Sequence, residues 1–357
     1  MHNPATHEKH GVHSEADSMI DREGSLVLPF EMMGRGALSQ VVLLCAVIGG
    51  AVSSRTDTGD AMDTPSYLRL AVTTLSREIG SRPYDDAVKL DRTVKFIGGE
   101  FASAGLVVSY QSFTYRNRQY QNVIGELKGR AMPEKVLVVG AHYDTVRTTP
   151  GADDNASGIA GLMGIARLLA GRSLDRTVRF VAFALEEPPV YRSRNMGSYH
   201  YAESLVKKRE TVEGMICLEM IGFFSDREGS QHYPLPFMKL KFPKVGNYIS
   251  LVGNRRSRKF THHVADSLRN ATDLPVITLN APAIIAGIDF SDHWSFNKFR
   301  IPACMATDTA FYRNPNYHAP TDLPETLDYT RMAKVVEGLV AAVEAWGGHG
   351  RGIAGAR

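Results

Sequence analysis

His142-Tyr-Asp144 closes an apolar run, Val136 to Ala141, that reads as a strand buried on both faces. Gly151-Ala-Asp153-Asp154-Asn155 lies just ahead of a helical pattern. Glu186-Glu187 follows a second apolar run, Val181 to Leu185, and Glu219 ends a third, Ile216-Cys-Leu218. A later loop, Asn314-Pro-Asn-Tyr-His318-Ala-Pro, adds an imidazole. Imidazole and carboxylate are the groups that zinc takes. Singly, most of these have ordinary readings. Asp153 to Asn155 could cap the following helix, Glu186-Glu187 could be a solvated turn, and His318 a surface residue. Glu219 is harder to dismiss, because a lone carboxylate inside an apolar run costs several kcal/mol or changes its protonation state. His293, in Ser291-Asp-His-Trp294, is a rival ligand to His318, and spacing alone does not choose between them.

Side chains so far apart in sequence meet only if the elements carrying them end at one edge. Apolar periods predict helices over 87–104, 156–170, 199–209, 259–270 and 330–346. Strands are predicted over 107–113 and 121–127, joined by a polar turn around Asn117, and over 136–142, 177–185, 215–221, 247–252, 275–279 and 301–306. There is no internal repeat. Strands alternating with helices predict one α/β domain of three layers, a central sheet with helices on both faces. Ligands of such sheets bind beyond the carboxyl ends of the strands, which is where the residues above fall.

The ordered set His142-x-Asp144, Gly151-Ala-Asp-Asp-Asn-Ala-Ser-Gly158, Glu186-Glu-Pro188, Leu218-Glu-Met-Ile-Gly222 and Tyr317-His-x-x-x-Asp322 resembles the di-zinc aminopeptidase family. That family includes secreted bacterial leucyl aminopeptidase, glutamate carboxypeptidase II, glutaminyl cyclase and the transferrin receptor ectodomain. The resemblance spans roughly residues 65–345 and implies a mixed, mainly parallel sheet and two Zn²⁺ per chain. It implies that Asp154 bridges the ions, that His142 and Glu219 complete one site, and that Glu187 and His318 complete the other. It thereby favours His318 over His293. Glu186 is implied as general base, Asp144 as the hydrogen-bond partner of the far nitrogen of His142, and Asp154–Asn155 as a cis peptide. Two zinc ions carry four positive charges; Asp154, Glu187, Glu219 and a hydroxide between the ions would balance them, which suits a partly buried cleft. The implied activity is hydrolytic removal of N-terminal residues from peptides. The rivals are an aminoacyltransferase resembling glutaminyl cyclase and an inactive binding domain of the same fold. For Glu186 and Glu187 both to reach the ions, the strand before them must already be turning, since neighbours on a strand face opposite ways. Tyr312 is a candidate oxyanion donor, and the segment from Phe223 to Lys244 a candidate cleft wall.

Composition narrows the setting. Among 357 residues, 41 Lys and Arg face 38 Asp and Glu, so no basic surplus exists to meet a nucleic-acid backbone. Three cysteines exclude a disulfide scaffold, and Cys217 and Cys304 read as buried thiols. Residues 1–31 read as a polar, disordered leader that carries His2, His7, His10 and His13. Residues 32–54 place a basic spot at Arg35, an apolar run from Val41 to Val52 and a small-residue exit at Ser53, the order of a signal peptide or N-terminal anchor. The expectation is an exported protein, periplasmic or secreted, with residues 37–54 the one segment to touch a membrane. Residues 55–64 read as a linker, 65–347 as the zinc peptidase domain and 348–357 as a disordered tail. A peptide substrate is the expected partner.

Overall fold

The computed structural model describes residues 62–348. The expected leader, signal or anchor segment, most of the linker, and the tail beyond residue 348 lie outside the described residues. No helix among the described residues is long and apolar enough to cross a membrane.

The first helix, α1 (Thr64–Thr73), starts inside the expected linker boundary, capped by the Asp63 carboxylate, which accepts from the Ser66 N–H at 2.8 Å. Helix α2 (Ala87–Ser103) follows, capped in the same way by Asp86. Strands β1 (Val107–Tyr115) and β2 (Arg118–Leu127) form a hairpin. Its two turn residues, Arg116 and Asn117, both have positive φ, the form whose twist suits a two-residue hairpin. Then come β3 (Met132–His142), α3 (Gly158–Leu168), β4 (Arg176–Phe183), α4 (Gly197–Lys207) and β5 (Thr211–Leu218). The chain continues through β6 (Ile249–Gly253), α5 (Arg258–Ala271), β7 (Val276–Asn280), the short α6 (His293–Lys298), β8 (Ala303–Thr307) and α7 (Tyr329–Gly347). Sequence periodicity leaves α1 and α6 unpredicted; α6 has only six residues, too few for a helical period to show.

The eight strands form one sheet in the order β1-β2-β4-β3-β5-β8-β6-β7. Its centre, β4-β3-β5-β8, is parallel, while β2 on one flank and β6 on the other run antiparallel to their central neighbours. Alternate residues of β3 feed opposite cores. Leu137, Val139 and Ala141 pack with α1, α2, α3, α5 and α7, and Val136 and Val138 pack with α4 and α6. The expected three-layer α/β architecture, with a mixed, mainly parallel sheet, is therefore present. Because β3, β4, β5 and β8 are parallel, their carboxyl ends share one edge.

Candidate metal centre

The edge gathers the residues singled out from sequence. His142 is the last residue of β3. Glu186 and Glu187 follow β4, which has already ended at Phe183; Leu185 then takes φ +59°, so the two glutamates leave the strand on a turn rather than alternating across it. Pro188–Pro189 is a cis peptide, as is Asp154–Asn155. Glu219 follows β5, and Met220 after it takes φ +49°. His318, at φ +56°, sits in the loop between β8 and α7. Left-handed backbone at non-glycine residues is costly and concentrates at functional sites.

Two groups of donors result, and Asp154 belongs to both. His142, Asp154 and Glu219 form one, and Asp154, Glu187 and His318 the other; within each group the donor atoms lie within 4.8 Å of one another. His142 Nε2 is 3.5 Å from Asp154 Oδ1 and 3.2 Å from Glu219 Oε2. His318 Nε2 is 3.1 Å from Asp154 Oδ2 and 3.3 Å from Glu187 Oε2. The two oxygens of Asp154 thus face the two groups separately. Glu186 Oε1, Glu187 Oε1 and His318 Nε2 are buried without a hydrogen-bond partner, which is what donors awaiting cations look like. The donor set therefore fits a pair of zinc ions. His293 is elsewhere: it is fully buried, and its Nε2 lies 2.8 Å from the Ile288 carbonyl.

Asp144 does more than sequence suggests. Its carbonyl oxygen is 3.2 Å from His142 Nδ1, closer than its carboxylate at 3.5 Å. The carboxylate accepts the N–H groups of Glu186 and Glu187, at 3.0 and 3.2 Å, and so fixes the turn that delivers both glutamates.

Protonation follows from crowding acids and imidazoles out of water. Burial raises Glu187 to about 7, with Asp154 adding to the rise. Burial also raises Glu186 well above the usual carboxylate range, and neighbouring Glu187 and Glu219 add to it. Burial alone would lower His318, but Asp154 and Glu187 outweigh it and lift the imidazole to about 10. Burial works against Asp154 too, yet His142 and His318 hold its carboxyl below the usual range. Without cations, protons on the imidazoles supply the positive charge that the carboxylates demand.

Several supporting residues escaped the sequence reading. Arg82, fully buried, donates to the carbonyls of Tyr143 (2.8 Å), Leu75 (2.7 Å), Gly80 (2.8 Å), Pro150 (3.1 Å) and Gly151 (3.2 Å). It ties the His142–Asp144 turn to the Asp154 loop. Gly151, at φ +64°, has no room for a Cβ, which would lie 2.4 Å from the Asp154 carbonyl oxygen. Asp322 accepts the N–H groups of Asp153 and Asp154 at 2.9 and 3.1 Å. Ser291 donates to Glu219 Oε2 at 2.6 Å. The conspicuous neighbour Asp153 faces away from the ligands and instead accepts from the Gly222 N–H and from Asn314. Gly151, Asp153 and Asp322 had a sequence cue only as members of the Gly151–Gly158 and Tyr-His-x-x-x-Asp motifs; Arg82 had none.

A cleft of about 250 Å³ opens from the ligands. Gln231, Tyr233, Met238 and Phe242 form one wall, so the segment after Glu219 does enclose it. Residues of β6 and β7, among them Val252, Ile277 and Leu279, form its floor. Tyr312 lines it, as do Tyr191 and Tyr317, which the sequence reading did not single out; Tyr317 stacks on the His318 ring at 3.8 Å. The charged or titratable side chains lining it, tyrosines aside, are Asp154, Glu186, Glu187, Glu219, His232 and His318, with no lysine or arginine.

Residues 122–343 match the model of peptidase family M28. The chain belongs to peptidase family M28. The expected enzyme, a hydrolase of the metallo-aminopeptidase kind, is borne out at the level of the family. Its relatives include the uncharacterized protein YfbL of Escherichia coli, 40% identical over 285 residues that cover 78% of this chain and 87% of YfbL. Aminopeptidase YwaD of Bacillus subtilis is 36% identical over a shorter stretch, 30% of this chain and 23% of YwaD. Among solved structures, BSAP, a zinc aminopeptidase from Bacillus subtilis, shares the fold with a TM-score of 0.63 at 17% identity, over 79% of this M28 chain and 95% of BSAP.

Proposed function

We propose that this M28 peptidase is a di-zinc aminopeptidase that removes apolar residues from peptide N-termini. The observation that carries the reading is Asp154, whose two oxygens face two separate donor groups. His142, Asp154 and Glu219 would hold one ion, and Asp154, Glu187 and His318 the other. Zinc, when bound, polarises the scissile carbonyl and lowers the pKa of a water to about 7.

Glu186 is not needed as a ligand, and its Oε1 is unpartnered at the head of the cleft. It accepts a proton from the attacking water and returns it to the leaving amine. Asp144 acts through the glutamates and His142, fixing their approach. Tyr312 offers its hydroxyl to the oxygen that becomes negative as the carbonyl is attacked. The cleft's charge favours the amino end of a substrate. With Asp154, Glu187 and Glu219 balanced by the ions, Glu186 is the lining carboxylate left to meet an α-ammonium group, and no lysine or arginine lines the cleft to receive an α-carboxylate. The floor of β6 and β7 residues suits a large apolar side chain.

A cyclase-like transferase would need one zinc, and both donor groups are complete here; an inactive relative would have lost ligands, and none is lost. Metal analysis of the purified protein, with a panel of aminoacyl amides and their N-acetylated counterparts, tests the reading. About two metals per chain are expected, as a co-catalytic pair requires, and, for an exopeptidase acting at the N-terminus, hydrolysis of only the free-amine substrates. Equal hydrolysis of N-acetylated substrates would overturn it. The N-terminal pattern supports export, which N-terminal sequencing of protein recovered from outside the cytoplasm would check.

A further inference from the structure

The loops around the mouth of the cleft are built unlike the rest of the surface. Met238 and Phe242 turn into the cleft, but Phe237, just before Met238, and Leu240, between the two, point to solvent, 61% and 88% exposed. Across the mouth, the loop that ends at the cleft residues Ala286 to Ile288 carries Ile284, 91% exposed. A third loop adds Phe311, itself a lining residue. Leu240 and Ile284 are the two most exposed large apolar side chains among the described residues, and four of the ten such side chains flank this one opening. Single exposed apolar residues are ordinary; several around one opening mark an interaction surface.

Charge says what kind of surface. Lys239, Lys241 and Lys244 are exposed among the apolar tips. Residues 230–248 and 274–288 contain no aspartate or glutamate. Apolar and aromatic tips flanked by lysines, without acids, is the composition of a segment that enters the boundary of an anionic membrane: the tips reach the acyl region and the ammonium groups stay among the headgroups. A second copy of the chain fits poorly, because a two-fold contact would bring each protomer's three lysines against its partner's.

We propose that the rim formed by residues 236–244 and 282–286 docks on an anionic lipid bilayer, so that the mouth of the active site faces a membrane surface. This contact is separate from the N-terminal apolar segment and does not depend on the peptidase reading. It would place substrates that are themselves held at a membrane directly before the cleft.

The test uses the full chain in a Cys45→Ser background, since Cys217 and Cys304 are buried. An environment-sensitive fluorophore is attached at Leu240→Cys or, as control, at Val88→Cys, an exposed position on α2 over the β1–β2 flank. Vesicles of mixed phosphatidylglycerol and phosphatidylcholine should shift the emission of the label at 240 to the blue and leave that at 88 unchanged. Pure phosphatidylcholine should shift neither, and Lys239→Glu with Lys241→Glu and Lys244→Glu should abolish the shift. An N-terminal anchor would bring both labels near the vesicle without burying either, so the difference between them isolates the rim. The proposal is overturned if the label at 240 does not respond to anionic vesicles, or if both labels respond alike. It is also overturned if the 240 shift appears without lipid and grows with protein concentration, which would mark self-association. A shift on adding soluble apolar peptides but not lipid would mark a peptide-docking surface and overturn it too.

Discussion

The two sides of the cleft are held by different physics. The ligand side, at the ends of β3, β4 and β5, is a polar lattice. Asp144 holds the backbone of the two glutamates, Asp322 that of Asp153 and Asp154, and Arg82 five carbonyls, and these three side chains are themselves fully buried. The backbone that carries the ligands is held by these bonds, so a ligand-bearing segment cannot drift without breaking one of them, while the ligand atoms themselves stay free for cations. The far side, made by β6, β7 and the loops at residues 223–248 and 281–290, is apolar contact with an exposed rim. Apolar packing tolerates changes of side chain that hydrogen-bond lattices do not. Chemistry should therefore depend on the first side, and choice of substrate on the second.

Glu186→Gln would sharpen this contrast most: both metals should stay bound while turnover falls by roughly 10²–10⁴-fold, the scale of a lost acid–base group. Full activity in that variant would remove Glu186 from the mechanism. Next, Tyr312→Phe should lower kcat by about 10²–10³-fold with KM little changed, as loss of one oxyanion donor does; a change confined to KM would reassign Tyr312 to the apolar wall. Arg82→Met tests the lattice itself. It strands five carbonyls, those of Tyr143, Leu75 and Gly151 fully buried, and should cost about 3–5 kcal/mol in denaturant unfolding. A loss within the error of the measurement would mean that the lattice does not need its central cation. On the opposite side, Leu279→Phe narrows the floor and should cut kcat/KM for large apolar N-terminal residues about tenfold while sparing alanine. Equal losses on both substrates would break the division of labour.

The smallest effect concerns pH. In metal-stripped protein, His318 is raised from its ordinary 6.5 to about 10, and Glu187 from 4.5 to about 7. A raised folded-state pKa gives stability that is complete below the unfolded value and is lost as pH rises through the folded one. The Asp154 contribution has the opposite sign and fades only in acid, below the range considered. Melting temperature of the metal-free protein should accordingly fall between pH 6.5 and pH 10. Added zinc, which replaces those protons, should flatten the fall. A rising melting temperature over that range would contradict the assignment of His318 to the cluster.

Much of the ligand side was legible in the chain because its signals are local. An apolar run that stops at a histidine or glutamate marks both a buried strand and what stands at its end; three such runs and two loop motifs, in order, carried the resemblance. The lattice behind it was not legible. Arg82 sits in an ordinary Gly-Ser-Arg-Pro stretch, and its five partners come from segments up to 69 residues away. Ser291 looks like any serine until Glu219 lies 2.6 Å from it.

Residue order by itself determined the strand–helix alternation, the parallel centre's apolar runs and the identity of the groups available to a metal, because periodicity and residue chemistry are properties of the chain. Two things waited for the tertiary structure. One was the separation of His318 from His293, which residue spacing left open and only the family resemblance decided; the chain's path brings one to Asp154 and the other to the Ile288 carbonyl. The other was the apolar rim, whose residues would be unremarkable core in a different fold. Only exposure distinguishes them, and exposure is a property of how the segments pack.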